Sequence, residues 1–147
     1  METEERIIEP EAVYTMRLVK SEDLNHHGTL FAGRTAEWFV ESGFLAAANI
    51  LNPKSVVCLK VHGMQFSKPA RPGDILKFSS KIVYAGRTSL TSWVEVRMKG
   101  HVESPVSGFV TFIHVDENTK SAPHNVKIKP VTEEDIRLNK EASELKR

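Results

Sequence analysis

The clearest pattern in the chain is a run of Ala, Trp, Phe, Leu and Ile from Gly33 to Leu51 that holds no proline and ends at Asn52-Pro53. The residue before a proline avoids the helical region, so the run predicts one long helix stopping there. It is apolar on most sides, which predicts a helix wrapped and buried. Beyond Pro53 the apolar positions take on strand period. "SVVCLKVHGMQF" (55–66) is rich in β-branched residues, and in "DILKFSSKIVYA" (74–85) Leu76, Phe78, Ile82 and Tyr84 share one face with Ser80 between them. In "TSLTSWVEVRMKG" (88–100) Leu90, Val94, Val96 and Met98 alternate with polar neighbours, and "VSGFVTFIHVDE" (106–117) is a further strand. "AVYTMRLV" (12–19) supplies one strand ahead of the helix, while "KPARPGD", "AGR" and "DENTKSAPHN" carry turn chemistry.

The order is therefore strand, long helix, then four or so strands, mostly joined by short turns. That order predicts an α+β domain in which an antiparallel sheet packs one face on the helix. The polar opening, residues 1–11, is expected to be loose, and residues 12–130 form the domain. Residues 131–147 read as a C-terminal helix capped by Thr132, acidic in its first turn and basic in its last.

Composition narrows the function classes. The 147 residues suit one domain, and 20 basic against 19 acidic side chains leave a net charge of +1. No long basic block marks a nucleic-acid partner. No apolar stretch approaches the ~20 residues a membrane span needs, and no signal-peptide pattern opens the chain. A soluble, cytoplasmic protein without a membrane partner is expected. Cys58 is the only cysteine, so neither an internal disulfide nor a thiolate zinc cluster is available. Its apolar surroundings predict a small buried hydrophobe.

Candidate chemistry gathers in "SEDLNHHGTLFAGRTAEWFVESG" (21–43). On a helix Arg34, Glu37 and Glu41 fall within about 60° of one another. The stripe reads as a solvated face, yet Leu45 and Ala48 stand where more charge would be expected. Glu41 is thus placed where the polar stripe turns apolar. Desolvation there would raise its pKa and suit it to general-base work. Glu37, one turn earlier, is its rival.

The helix start offers no capping side chain at Ala32 or Gly33 and no capping box in register. Its first N–H groups are open to a water, an anion or a developing oxyanion. His26 and His27 lie in a polar loop. His62 and His114 read as hydrogen-bonded sheet histidines. No histidine pair has helical metal spacing and no Gly-x-Ser-x-Gly elbow occurs, so nothing argues for a metal or a serine triad.

Four pieces, "NHHGTLFAG", the helix carboxylate in "VESG", "VHGMQFSKPARPGD" and "YAGRTSLTSWVEV", together resemble the hotdog-fold acyl-CoA thioesterases of the 4-hydroxybenzoyl-CoA thioesterase superfamily, especially the small bacterial acyl-CoA hydrolases. The resemblance covers residues 12 to 116. It implies a long helix wrapped by a curved antiparallel sheet, a homodimer with continuous sheets, and active sites between subunits; assembly of dimers into a tetramer or hexamer stays open. It implies no metal and no organic cofactor, coenzyme A entering as part of the substrate.

By the same resemblance Asn25 lies near the thioester; His27, in the same loop, is a candidate to hold the water or the carbonyl with it. Gly33 offers its N–H to the thioester carbonyl, and Glu41 is nucleophile or general base. Gly86, Arg87, Thr88 and Ser89 contact the CoA pantetheine or phosphates. The family usually has two glycines where this chain has Ala32-Gly33. Counted from Gly28 the carboxylate position falls on Val40; counted back from Val-Glu-Ser it falls on Glu41, and valine cannot do the chemistry. The alternatives are a non-catalytic acyl-CoA-binding or regulatory domain, which would not need Glu41, and a hydroxyacyl-thioester dehydratase, which would pair His62 with Glu41.

Overall fold

The computed structural model describes residues 4–65, 68–101 and 106–146. Its elements are β1 (Arg6–Ile8), β2 (Val13–Leu18), α1 (Ala32–Ala48), β3 (Val56–Val61), β4 (Ile75–Ala85), β5 (Ser89–Met98), β6 (Val106–His114), β7 (Val126–Ile128) and α2 (Glu133–Ser143). Five strands form one antiparallel sheet in the order β2-β4-β5-β6-β3. The long helix α1 lies on one face of this sheet and α2 packs against β4. This is the α+β hotdog arrangement expected from the element order and the family resemblance. No helix of the described residues is long and apolar enough to cross a membrane.

The inward face obeys the strand period. Phe78 and Ile82 of β4, Leu90, Val94 and Val96 of β5, and Val110 and Phe112 of β6 close around Trp38, Phe39, Ala46 and Ala47 of α1. Burying each large side chain of such a core contributes roughly 1.5–3 kcal/mol. Two serines break the apolar face, and both bond the helix backbone. Ser80 Oγ donates to the Ser42 carbonyl at 2.5 Å and Ser92 Oγ to the Gly43 carbonyl at 2.8 Å. The helix comes this close because Gly43 has no side chain: a Cβ there would stand 3.3 Å from Val94 and 3.4 Å from Phe112.

Several expectations need correction. The opening segment 1–11, read as loose, contains strand β1, which pairs in parallel with β7, an unforeseen strand. Tyr84 leaves the inward face because a bulge between Ile82 and Tyr84 shifts the register. It packs instead with Val83, Leu138 and Ala142 in a second cluster under α2. Cys58, expected to be buried, is exposed on β3, an edge strand of the sheet. The helix ends at Ala48 instead of Leu51. Phe66, the end of the strand expected over 55–66, lies outside the described residues, and β3 stops at Val61.

Helix α2 is joined to the sheet by polar contacts as well as by its apolar side. Thr132 and Asp135 form a capping box at its start. Lys81 of β4 reaches the Asp135 carboxylate at 2.7 Å and Glu134 at 3.1 Å, and Asn139 donates to the Val83 carbonyl at 2.8 Å. Burial alone would push the Lys81 ammonium down and the Asp135 carboxyl up. The hydrogen bonds and opposite charge between them outweigh burial, leaving Lys81 above and Asp135 below their ordinary values.

Candidate active site

The start of α1 is built by the loop before it. Phe31 is the N-cap residue, extended at φ −64° and ψ 127°, and its side chain caps nothing. Its carbonyl accepts from the Arg34 and Thr35 N–H groups at 2.9 and 3.2 Å. Among the described residues, the N–H groups of Ala32 and Gly33 meet no acceptor. The uncapped start expected from the sequence is therefore present. Such N–H groups, aligned with the helix dipole, favour negative charge in front of them.

Buried Asp23 fixes this loop. Its carbonyl accepts from Phe31 N–H at 2.8 Å, and its carboxylate accepts from Lys20 N–H at 2.9 Å and pairs with Arg34 Nε at 3.3 Å. Arg34 also reaches Glu37 at 3.1 Å, so the rival carboxylate belongs to an Asp23–Arg34–Glu37 network at the helix start. Gly33 makes room for an aromatic ring, because a Cβ there would stand 2.5 Å from Cε2 of Phe31. That ring is 55% exposed beside the unclaimed N–H groups.

Glu41 departs from expectation. Its side chain is 51% exposed, not desolvated, and it forms an ion pair with Arg17 of β2. The Arg17 guanidinium also stacks over the Trp38 ring, 5.5 Å from the centroid. The sheet therefore covers one side of α1, while Glu37 and Glu41 stand on the side it leaves open. The helix is wrapped as expected, with only Ala32, Glu37 and Glu41 of its residues exposed. Sequence reasoning passed over Arg17, Phe31 and Asp23. A signal for the first was present: Val13, Thr15 and Arg17 share the half-buried parity of β2, an unusual side for an arginine.

Asn25 serves its own loop. Its Oδ1 accepts from the His27 and Thr29 N–H groups at 2.8 and 3.2 Å, and its Nδ2 donates to Thr29 Oγ1 at 3.1 Å. Gly28, at φ +76°, completes this turn in the left-handed region that glycine tolerates. His27 is exposed at the loop tip, its ring 3.9 Å from that of His26. His62 bonds Thr111 Oγ1 at 2.7 Å, and His114 bonds the Ala122 carbonyl at 2.7 Å, as expected for sheet histidines. Thr111 alternates with inward-facing Val110 and Phe112, so His62 is across the sheet from α1 and cannot join Glu41 in one chain. Among the described residues, no group of three or more His, Cys, Asp or Glu could hold a metal ion.

Three parts of the expected site are held apart. Gly33 and Glu41 are separated by about 12 Å of rise and 80° of rotation along one helix, beyond the reach of a glutamate side chain. The Gly86–Ser89 turn is farther still. Trp38 packs on Phe78 and the Ser42 carbonyl meets Ser80, so α1 and β4 advance together. Beyond Ser80 the strand travels about 20 Å further before the turn. There Gly86 N–H donates to the Ser89 carbonyl at 3.0 Å, Ser89 is buried and Arg87 is exposed.

Known proteins similar to this chain are acyl-CoA thioester hydrolases. An uncharacterized acyl-CoA thioester hydrolase of Bacillus subtilis (strain 168) is 29% identical over 124 residues, covering 82% of this chain and 71% of its own. The crystal structure of an apo-hexameric acyl-CoA thioesterase has a TM-score of 0.80 at 31% identity, covering 90% of this chain and 86% of that one. An acyl-CoA hydrolase from Bacillus cereus has a TM-score of 0.81 at 26% identity, covering 90% and 82%. The family model of the thioesterase superfamily matches residues 27–104, which is more than half of the sequence and spans α1, the Gly86–Ser89 turn and the strands on either side of it, so the chain belongs to the thioesterase superfamily.

Proposed function

We propose that the protein hydrolyses acyl-CoA thioesters to a free acid and CoA. The observation that carries this reading is the carboxylate of Glu41, held by Arg17 on the open side of a helix whose first N–H groups are unclaimed. A carboxylate and an oxyanion donor are the two groups that thioester hydrolysis needs. Because one helix keeps them about 12 Å apart, the working site combines Glu41 of one copy with the Gly33 N–H of a second. The protein then acts as a homodimer or a larger assembly of dimers, in keeping with the hexameric relative.

In this reading the Gly33 N–H donates to the thioester oxygen as charge develops there. Glu41 takes a proton from water as the water oxygen bonds to the carbonyl carbon. The tetrahedral intermediate collapses, the C–S bond breaks, and the CoA thiolate takes the proton back from Glu41. Direct attack by Glu41 to give an anhydride, then hydrolysed by water, leads to the same products. Asn25 shapes the loop in front of the site and keeps one amide proton for the carbonyl or the water, and His27 stands beside it. The Gly86–Ser89 turn takes the pantetheine arm, with Arg87 on the CoA phosphates. CoA enters as part of the substrate and no step calls on a further cofactor. The site works in the cytoplasm, where acyl-CoA is found.

The test is thiol release from a panel of acyl-CoAs by wild type, Glu41→Gln and Glu37→Gln. Loss of the base should cost Glu41→Gln about 100- to 10,000-fold in kcat, with Glu37→Gln close to wild type. Undiminished turnover by Glu41→Gln on every substrate would refute the reading.

A further inference from the structure

The turn between β4 and β5 is fastened from outside by a histidine that the proposed chemistry does not use. His124, 6% exposed, belongs to the segment linking β6 to β7. Its Nε2 donates to the Ser89 carbonyl at 2.9 Å, and its backbone N–H reaches the Arg87 carbonyl at 3.4 Å. The intervening Thr88 carbonyl accepts from His114 N–H at 2.7 Å. His124 Nδ1 accepts from Val126 N–H at 3.0 Å, so the ring is neutral, with its proton on Nε2. Asn125 makes this bond possible by standing at φ +56°, a left-handed conformation that asparagine tolerates.

The segment is itself fixed. Val126 opens β7, which pairs with β1, and the Asn125 carbonyl accepts from Arg6 N–H at 2.8 Å. Ala122 exchanges two bonds with His114: its N–H donates to the His114 carbonyl at 2.9 Å, and its carbonyl meets His114 Nδ1 at 2.7 Å. The imidazole joins the turn to the start of β7, while backbone bonds and His114 tie the same segment to β6 and β1. Burial, outweighing the bonds to the Ser89 and Gly86 carbonyls, keeps that ring below the usual histidine range and so neutral at pH 7. Arg87, at the tip of the turn, has no carboxylate partner among the described residues and is exposed.

We propose that His124 is a positioning residue for substrate binding: its bond to the Ser89 carbonyl sets the Gly86–Ser89 turn so that Arg87 meets the CoA phosphates. The inference rests on the reading that this turn binds CoA. A buried neutral side chain cannot touch substrate itself, so its effect must pass through the turn backbone. Losing the clasp should weaken binding of the nucleotide end of CoA and leave the chemical step alone.

The experiment compares the kinetics of wild type, His124→Leu, His124→Gln and Arg87→Ala on an acyl-CoA and on the matching acyl-pantetheine, which has the same thioester and no nucleotide. Leucine fills the imidazole volume without its hydrogen bonds, and glutamine restores a donor and an acceptor. His124→Leu should raise KM for acyl-CoA about tenfold, the loss of one charge-assisted contact, with kcat and the acyl-pantetheine KM little changed. His124→Gln should recover most of the acyl-CoA KM. An equal change on both substrates, or none on either, would overturn the positioning role. Arg87→Ala separates the two ideas. If it leaves KM for acyl-CoA unchanged, the CoA reading of the turn fails. If it raises KM while His124→Leu does not, the reading stands and the inference about His124 falls.

Discussion

Arg17 of β2 reaches across to α1 and holds the carboxylate of Glu41, with its guanidinium lying over the Trp38 ring. The contact joins a sheet edge to the middle of the helix and fixes the direction of a carboxylate on its open side. Glu41 is thereby placed by tertiary contact instead of by burial. Its own helix supplies no partner for it, since Arg34 is already shared between Asp23 and Glu37.

Arg17→Met keeps much of the packing on Trp38 and removes the charge. Both members of the pair are more than one-third exposed, so the stability loss should stay within about 1 kcal/mol. Activity should suffer more. On the proposed reading of Glu41 as the base, we expect kcat on acyl-CoA to fall by about tenfold or more, because a displaced base is costly to catalysis even when the fold is intact. Thiol-release kinetics alongside urea unfolding check this; an equal loss of stability and activity would assign Arg17 a merely structural role.

The serine contacts to α1 make a second prediction. Ser80→Ala and Ser92→Ala each leave a helix carbonyl short of one buried donor, at a cost of about 1–2 kcal/mol apiece. Their target carbonyls are adjacent, so the double variant should depart from additivity. Equilibrium unfolding in urea with a double-mutant cycle measures both effects.

The Lys81–Asp135 pair makes a third, in pH. Asp135 is held below its ordinary value of 3.8, so its contribution is complete above that pH and is lost as pH falls through the folded value. Lys81 is held above 10.5, so its contribution is complete below that pH and is lost as pH rises through the folded value. Asp135→Asn should flatten the acid limb of the stability curve. It should also cost about 2 kcal/mol at neutral pH, the loss of one charge-assisted bond, because Lys81 keeps only the more exposed Glu134. Thermal unfolding between pH 2.5 and 7 reads both.

Some of this was legible in advance because it is local. Asn52-Pro53 limits the long helix whatever surrounds it, and Thr132 with Asp135 three residues on announces the start of α2. Leu90, Val94 and Val96 face inward because a strand alternates and one face of the sheet is dry. Tyr84 escaped the same rule, because a bulge inserts a residue and reverses parity beyond it. Strands β1 and β7 escaped because three residues carry too short a pattern to read. Their pairing is a contact between the two ends of the chain.

The sequence by itself determined the α+β order, the inward set of the main strands, the uncapped start of α1 and the outward stripe that ends at Glu41. Each of these depends on residues within a turn or two of one another. Only the tertiary structure decided that Arg17 of β2 pairs with Glu41, that His124 fastens the Gly86–Ser89 turn, and that this turn lies far from the start of α1. The physical reason is distance. Periodicity reports which way a side chain points relative to its neighbours, whereas an ion pair from β2 to α1, or a histidine reaching back 35 residues to a turn, exists only once the sheet has closed on the helix.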